Sequence, residues 1–286
     1  MIPAFAGPSR GPVFIAAERD FRPYTVAVEA LLAIGNQFRR LVETVQDVTL
    51  FCVTVLRSAF RPPYYRHEVL EQIHFAMIGS LGIVMFSALV AGQALAIQLG
   101  RELSRTGTKS ELGHMMVISV VRALGPVLTG MVVASRMSAG ITAELGAMRS
   151  SDQIDAMVAF GTDPIKRLVA PRMIGLVIAL PVLTILGDAL GVVGGGFVGL
   201  GYHLPLRSYY IGVYKYLTPA NLLVGMIKPF FFAILIATVA CWKGFTSAGG
   251  AKGVGVSTTQ SVVISSVGIL VTDFICTKLV FRILQW

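Results

Sequence analysis

The stretch ELGAMRSSDQIDAMVAFGTDPIKRLVAPR, from Glu144 to Arg172, is a polar segment between two of the longest apolar runs of the chain. We call it the surface segment. Its eight charged side chains predict that it lies in water between two membrane spans. Its apolar residues recur at near-helical spacing, at Ile154, Met157, Val158 and Phe160. We therefore predict a short amphipathic helix held at the membrane surface.

Five apolar runs are long enough to cross a hydrocarbon core, which takes about 20 residues. They are Phe75–Gly100, His114–Ala143, Met173–Tyr202, Tyr216–Trp242 and Val254–Leu284. The composition agrees, since 55% of the 286 residues are hydrophobic and only 14% are charged. A soluble domain is rarely so apolar. We expect an all-α, polytopic membrane protein with five transmembrane helices and a short cytoplasmic coupling helix between spans 2 and 3.

The region before the first run has a different pattern. We expect a flexible N-terminus over 1–24, an interfacial amphipathic helix region over 25–74, and a transmembrane domain over 75–286. Apolar residues in the second region recur in steps of three and four, at Leu31, Ile34, Phe38, Leu41, Val45, Val48, Cys52 and Val55. Charged residues fill the opposite face, which favours a helix lying in the interface. A soluble helix packed on another domain and a sixth span are the alternatives.

The loops differ in their content of Lys and Arg, which sets orientation. Eight lie before His74, four in the surface segment and two in Lys243–Gly253, against three in Arg101–Gly113 and two in His203–Lys215. The N-terminus and the surface segment are therefore predicted to be cytoplasmic and the C-terminus external. The net charge of +9 follows from these loops and does not predict a nucleic-acid partner.

Signals for catalysis are missing from the sequence. The three cysteines and four histidines show no metal-ligand spacing, and no nucleophile–base arrangement is recognisable. Gly107-Thr108-Lys109-Ser110 lacks the glycine spacing of a nucleotide-binding loop. We expect no cofactor, no metal and no catalysis by this chain. If ATP drives it, a separate chain binds the ATP.

Five charged residues interrupt the apolar runs, at Arg122, Arg136, Asp188, Lys228 and Asp273. A charge near the bilayer centre costs ~2.5–3.5 kcal/mol on insertion scales, so such residues usually face a partner or a cavity. Lys228 and Asp273 are placed deepest, and for them a structural pair and a functional role are both open. We expect Arg136 and Asp188 near span ends, where a side chain can reach water.

Glycines recur every four residues in the third run, at Gly187, Gly191, Gly195 and Gly199. A stripe of small residues allows two helices to approach closely. The approach is either packing within the chain or a seam between two copies.

Several motifs occur in a fixed order. They are Leu124-Gly-Pro-Val127, Ser135-Arg136, Glu144-Leu-Gly-Ala-Met-Arg149, Asp152-Gln-Ile-Asp-Ala156, Gly161-Thr-Asp-Pro-Ile-Lys166, Pro171-Arg172, Gly253-Val-Gly255, Ser257-Thr-Thr259, Val262-Val263 and Asp273-Phe274. Together they resemble the signature of MlaE/YrbE-type permeases from about Phe75 to the C-terminus. One position departs from the pattern: members often carry an acid after the arginine that precedes Leu-Gly-Pro, and here it is Ala123.

The resemblance implies the permease subunit of an ATP-binding-cassette transporter that moves phospholipid or a related lipid between bacterial membranes. It implies a homodimer in the inner membrane, a cytoplasmic ATPase, an MCE-domain protein on the outer face and a small STAS-domain accessory subunit. For substrate binding we expect Lys228, Arg122 and Asp273, with the two cations on a lipid phosphate. For ATPase coupling we expect the charged cluster Glu144, Arg149, Asp152 and Asp155.

Two other functions stay open on the residues alone. One is a proton-coupled secondary carrier of an amphipathic substrate, with Asp188, Lys228 and Asp273 as a relay. The other is a membrane scaffold without transport. The predicted surface helix favours the ATP-driven permease, because a secondary carrier has no need of it.

Overall fold

The computed structural model describes residues 22–59 and 65–283, and all regular structure in them is helical. The long helices are α1 (Arg22–Ala59), α2 (Arg66–Arg105), α4 (Gly125–Ser150), α6 (Ala170–Gly201), α8 (Pro219–Phe245) and α9 (Gly250–Ile283). The short helices are α3 (Leu112–Met116), α5 (Gln153–Ala159) and α7 (Leu206–Tyr216). A 3₁₀ turn (Lys109–Glu111) and two π-helical segments (Val117–Leu124 and Ile165–Val169) complete the described elements. The predicted all-α fold is confirmed.

Five helical stretches are long and apolar enough to cross a membrane. They are Arg66–Arg105, Lys109–Ser150, Ile165–Gly201, Pro219–Phe245 and Gly250–Arg282. The prediction of five spans is therefore confirmed. The first of these stretches, α2, starts at Arg66, before the apolar run at Phe75, because polar residues outside a run can continue the same helix. The predicted flexible N-terminus falls almost wholly on residues 1–21, which lie outside the described residues.

Contacts divide the chain into two units, residues 1–50 and 51–286. In the first unit, α1 exposes Val42 and Val45, and Arg39 forms an ion pair with Glu43 at 2.9 Å. In the second unit, Val55 is buried in the hydrophobic core and the ring of Phe51 lies 6.2 Å from that of Phe245. The interfacial position of the amphipathic helix stays a prediction.

Helices α2 and α6 pack along each other through small residues. α2 buries one residue in every four, at Ala76, Ser80, Val84, Ala88, Gly92, Ala96 and Gly100. A Cβ atom on Gly92 would collide with the backbone of Gly191, so the two backbones meet directly. The other glycines of the α6 repeat also face atoms of this chain. This packing favours the intrachain explanation of the glycine repeat.

Outside the spans, Tyr209 anchors helix α7. Its ring is buried, and its hydroxyl donates a hydrogen bond to the carbonyl of Val192 at 2.7 Å. Burial raises the pKa of Tyr209 above its usual value, and the neighbouring Tyr210 raises it further. The hydroxyl therefore remains a donor at neutral pH, and it fixes α7 against α6.

Candidate functional site

The second span changes helix type beside Pro126. In an α-helix the carbonyl of Arg122 would accept from the N–H of residue 126, and proline has none. Val117–Leu124 is π-helical instead, and the N–H of Gly125 donates to the carbonyl of Val120, five residues earlier. Such π segments inside helices are frequent at functional sites. Pro126 was the signal for this feature in the sequence, although helical periodicity alone does not predict a π segment.

Lys228 lies deep in the protein beside this π segment. It is 1% exposed, and its Nζ donates to the carbonyl of Arg122 at 3.1 Å. The same Nζ lies 2.7 Å from Oδ1 of Asp273, whose side chain is 24% exposed. The contact is an ion pair rather than a hydrogen bond, because Asp273 Oδ1 has no hydrogen bond within the described residues. The buried ammonium thus has both a counter-charge and a carbonyl acceptor.

The Arg122 side chain contacts α9, the helix that also carries Asp273. Its guanidinium lies 4.5 Å from the ring centroid of Phe281, eight residues after Asp273 on α9. We call Arg122, Lys228 and Asp273 the intramembrane cluster. Phe281 lies about two helical turns beyond Asp273, so the Arg122 guanidinium and the Lys228–Asp273 pair occupy successive levels of α9. The three predicted substrate-binding residues therefore lie at the contact between the π segment, α8 and α9. Arg122 contributes its backbone carbonyl to Lys228 and its guanidinium to Phe281.

Ala123 marks the position where similar permeases often carry an acid. It follows Arg122 directly, and it is exposed on the protein surface. This chain therefore has no acid at that position.

Asp188 is separate from the intramembrane cluster. It is 7% exposed within α6, and it forms no ion pair among the described residues. The expectation that Asp188 lies near a span end is therefore wrong. The glycine-rich run continues well past it, so the helix carries the carboxyl into the packed interior.

The surface segment is closed by an ion pair between its two ends. Glu144 Oε1 lies 2.6 Å from Nη2 of Arg172, whose side chain is buried, and Arg172 Nη1 donates to the carbonyl of Leu168 at 2.6 Å. The pair ties the end of the second span to the start of α6. The sequence analysis assigned Glu144 to ATPase coupling and did not predict its ion pair with Arg172. The spacing of the residues gives no sign that the two ends of so long a segment are paired.

A second ion pair lies within the segment. Arg149 Nη1 is 2.5 Å from Asp155 Oδ1 on α5. Asp152 precedes α5 in a left-handed conformation, with φ of 56°, and is exposed. Of the four predicted coupling residues, Glu144, Arg149 and Asp155 therefore have partners inside the chain. Asp152 has no ion pair within the described residues.

Helix α5 exposes most of its apolar side chains. Ile154 is buried and Met157 is half-buried, whereas Val158 is exposed and Phe160 is 88% exposed. The predicted short helix is present, but only one of its apolar residues packs fully against the protein. Val158 and Phe160 therefore leave apolar surface uncovered beside the Arg149–Asp155 pair.

Comparisons with known proteins bear on both regions. The family model described as Permease MlaE matches residues 69–279, from α2 into α9. A probable ABC transporter permease protein of Rickettsia bellii is 37% identical over 253 residues, which are 88% of this chain and 97% of the relative. A probable ABC transporter permease protein of Synechocystis sp. is 34% identical over 218 residues, which are 76% of this chain and 83% of the relative.

A plant relative is similar over much of its length as well. Protein TRIGALACTOSYLDIACYLGLYCEROL 1, chloroplastic, of Arabidopsis thaliana is 36% identical over 237 residues, which are 82% of this chain and 68% of that protein. The region that the family model matches includes both the intramembrane cluster and the surface segment.

Proposed function

We propose that this chain, which belongs to the MlaE permease family and is therefore the permease of an ABC transporter, moves phospholipid or a related lipid between the bacterial inner and outer membranes. The observation that carries the proposal is the intramembrane cluster. A membrane protein that buries Lys228 and Asp273 between apolar spans needs a reason for the cost. A phosphate-bearing lipid gives that reason, because its acyl chains suit the spans and its head group suits the cations.

The assignment of the cargo has a second support. The plant relative is named after trigalactosyldiacylglycerol, which is a glycerolipid. Lipids of this class share two acyl chains on glycerol and differ in their head groups. We propose that Arg122 and Lys228 bind the head group of the lipid by charge-assisted contacts, while Asp273 holds Lys228 in place.

An ABC permease works with an ATPase, and we propose that α5 receives its movement. Val158 and Phe160 are exposed for contact with a partner, and Arg149 and Asp155 brace the helix. The Glu144–Arg172 pair connects the segment to the start of α6, so a displacement of α5 reaches two spans. ATP hydrolysis then belongs to the ATPase, and this chain is a transport subunit rather than an enzyme.

The remaining assembly is part of the same proposal. The chain forms a homodimer in the inner membrane, with the N-terminus and the surface segment cytoplasmic and the C-terminus periplasmic. An MCE-domain protein binds the outer face and a small STAS-domain subunit binds the ATPase side. The excess of Lys and Arg on one side of the spans supports this orientation.

The lipids and proteins that purify with the complex test the proposal. We expect an ATPase and phospholipid in extracts of the wild-type complex, measured by mass spectrometry, and several times less phospholipid with Lys228→Met. The matched control is Lys243→Met, on the same helix, whose Nζ contacts Gln260 at 2.8 Å outside the cluster. Equal phospholipid in all three samples would contradict the assignment. Transport that needs a proton gradient and no ATPase would support the secondary carrier instead.

A further inference from the structure

A cavity of about 190 Å³ is lined by none of the three residues of the intramembrane cluster. Residues of the π segment, α6, α7 and α8 form its walls, among them Val121, Val192 and Leu222. Its mouth is marked by Ile185, which is 50% exposed, and by the exposed Leu217. All of its lining side chains are apolar except one, the carboxyl of Asp188.

The carboxyl of Asp188 has no partner for its Oδ1 atom within the described residues. The Cα of Gly125 packs against this oxygen, and a side chain at residue 125 would collide with it. The buried cation Lys228 contacts Asp273 instead. A buried polar group without a hydrogen bond is costly, by roughly 1–3 kcal/mol from protein mutational data. Oδ1 is enclosed by the protein, so the oxygen that a ligand in the cavity can reach is Oδ2, and the described residues donate no hydrogen bond to it. The carboxyl is therefore suited to a ligand that supplies a donor.

The size and lining of the cavity define the rest of the ligand. An engineered apolar cavity of roughly 150 Å³ holds a benzene molecule, so 190 Å³ accepts a slightly larger apolar body. A lipid phosphate would place negative charge against a carboxyl group. A hydroxyl or a protonated amine would instead donate to it.

We propose that this cavity is a second binding site, for a small amphiphile with a hydrogen-bond donor head, either a hydroxyl or an ammonium, on a short apolar chain. The head donates to the Asp188 carboxyl, and the chain lies between α6 and α8. The site prefers the opposite polarity to the intramembrane cluster, which favours anions. It does not depend on the lipid that the transporter moves.

Photolabelling of the full-length protein in lipid nanodiscs tests the site. The probes are octanol, octylamine and octane, each carrying a diazirine, and labelled peptides are located by mass spectrometry. Labelling of α6 and α8, normalised to the lipid-exposed α9, is expected to be roughly three- to tenfold higher for octanol or octylamine than for octane. Unlabelled 1-octanol is expected to compete. Equal normalised labelling by all three probes would overturn the proposal.

Two substitutions on α6 form a matched pair. Ile185→Trp fills the mouth of the cavity and is expected to abolish the preference for the donor probes. Ile178→Trp places the same bulk two turns earlier, at a residue that is 46% exposed and does not line the cavity, and it is expected to change nothing. Loss of the preference in both variants, or in neither, would contradict the site.

Substitutions of Asp188 separate the two head groups. Asp188→Asn keeps an acceptor but removes the charge. If the site favours an ammonium, this variant is expected to lose the preference for octylamine; if the site favours a hydroxyl, the preference for octanol is expected to remain. Asp188→Leu removes the acceptor and is expected to abolish the preference for both probes. A preference for donor probes that survives Asp188→Leu would show that the carboxyl does not bind them. The wild-type comparison of probes remains decisive if a variant fails to fold.

Discussion

The intramembrane cluster and the surface segment both concentrate charge, but they differ in what the charge does. In the cluster, Lys228 is buried, and its partners Asp273 and the Arg122 carbonyl come from two other elements. In the surface segment, the ion pairs join residues of the segment to one another, and the most exposed large apolar side chain is that of Phe160. We infer that charge binds the ligand inside the membrane, whereas charge at the surface braces a helix whose apolar side chains bind a partner.

The comparison first requires that the two regions face the environments assigned to them. Single cysteines at Ser110 and Ser151, in a background without the natural cysteines, replace two exposed serines at opposite ends of the second span. We expect an impermeant thiol reagent on intact cells to label the cysteine at 110 and to spare that at 151. Equal labelling would reject the proposed orientation, and permeabilised cells, in which both sites react, are the control.

The buried pair should respond asymmetrically to substitution. Asp273→Asn leaves the buried ammonium of Lys228 without a counter-charge and is expected to cost about 3 kcal/mol of stability. Lys228→Met leaves a carboxyl that is partly exposed, so it is expected to cost less. Thermal unfolding of the purified protein measures both effects. The double variant should recover much of the loss from Asp273→Asn, and strictly additive losses would show that the pair is not coupled.

The surface segment should respond at its apolar side chains. Phe160→Ser removes the most exposed aromatic of the segment and is expected to weaken binding of the ATPase by about tenfold or more, with unchanged thermal stability. Leu200→Ser, an exposed residue near the far end of α6, is the control. Titration of the ATPase against the immobilised permease measures both. Wild-type affinity for Phe160→Ser would remove the apolar surface from the docking site.

The ion pair of Arg149 with Asp155 should have the smallest effect. An exposed pair contributes roughly 0.2–1 kcal/mol, so Arg149→Asp or Asp155→Arg alone is expected to weaken ATPase capture only a few-fold. Combining the two restores the pair and should restore capture if the charges brace α5. Capture that stays low in the swapped variant would show that the ATPase contacts these charges directly. Asp152 is exposed and has no ion pair among the described residues. Asp152→Lys should therefore weaken ATPase capture both in the wild-type protein and in the swapped variant.

The sequence was sufficient to predict the five spans and the short helix, because long apolar runs and the charged interval at 144–172 are strong signals. It also identified Lys228 and Asp273 as deep charges. It left open whether Asp273 pairs with Lys228, and it placed Asp188 near a span end, whereas Asp188 is buried and has no ion pair among the described residues. Only the register between packed helices decides which carboxyl meets the ammonium.

The sequence also did not predict local features near helix ends. Ile154, Met157, Val158 and Phe160 fit one helical face in the sequence, but α5 is too short for that pattern to show which residues are buried. The carbonyl of Arg122 became an acceptor for Lys228 because Pro126 interrupts the helical bonding, and no side-chain pattern reports on a backbone carbonyl.

The role of the intramembrane cluster is tested most directly by ATP-driven transfer of a fluorescent phospholipid in proteoliposomes that contain the Lys228→Met permease and its ATPase. We predict that the variant assembles, retains the ATPase and hydrolyses ATP, but transfers phospholipid at least about tenfold more slowly than the wild type, since a charge-assisted contact contributes roughly 1.5–3 kcal/mol. Lys243→Met should transfer lipid at the wild-type rate. A well-assembled Lys228→Met complex with full transfer would contradict the account.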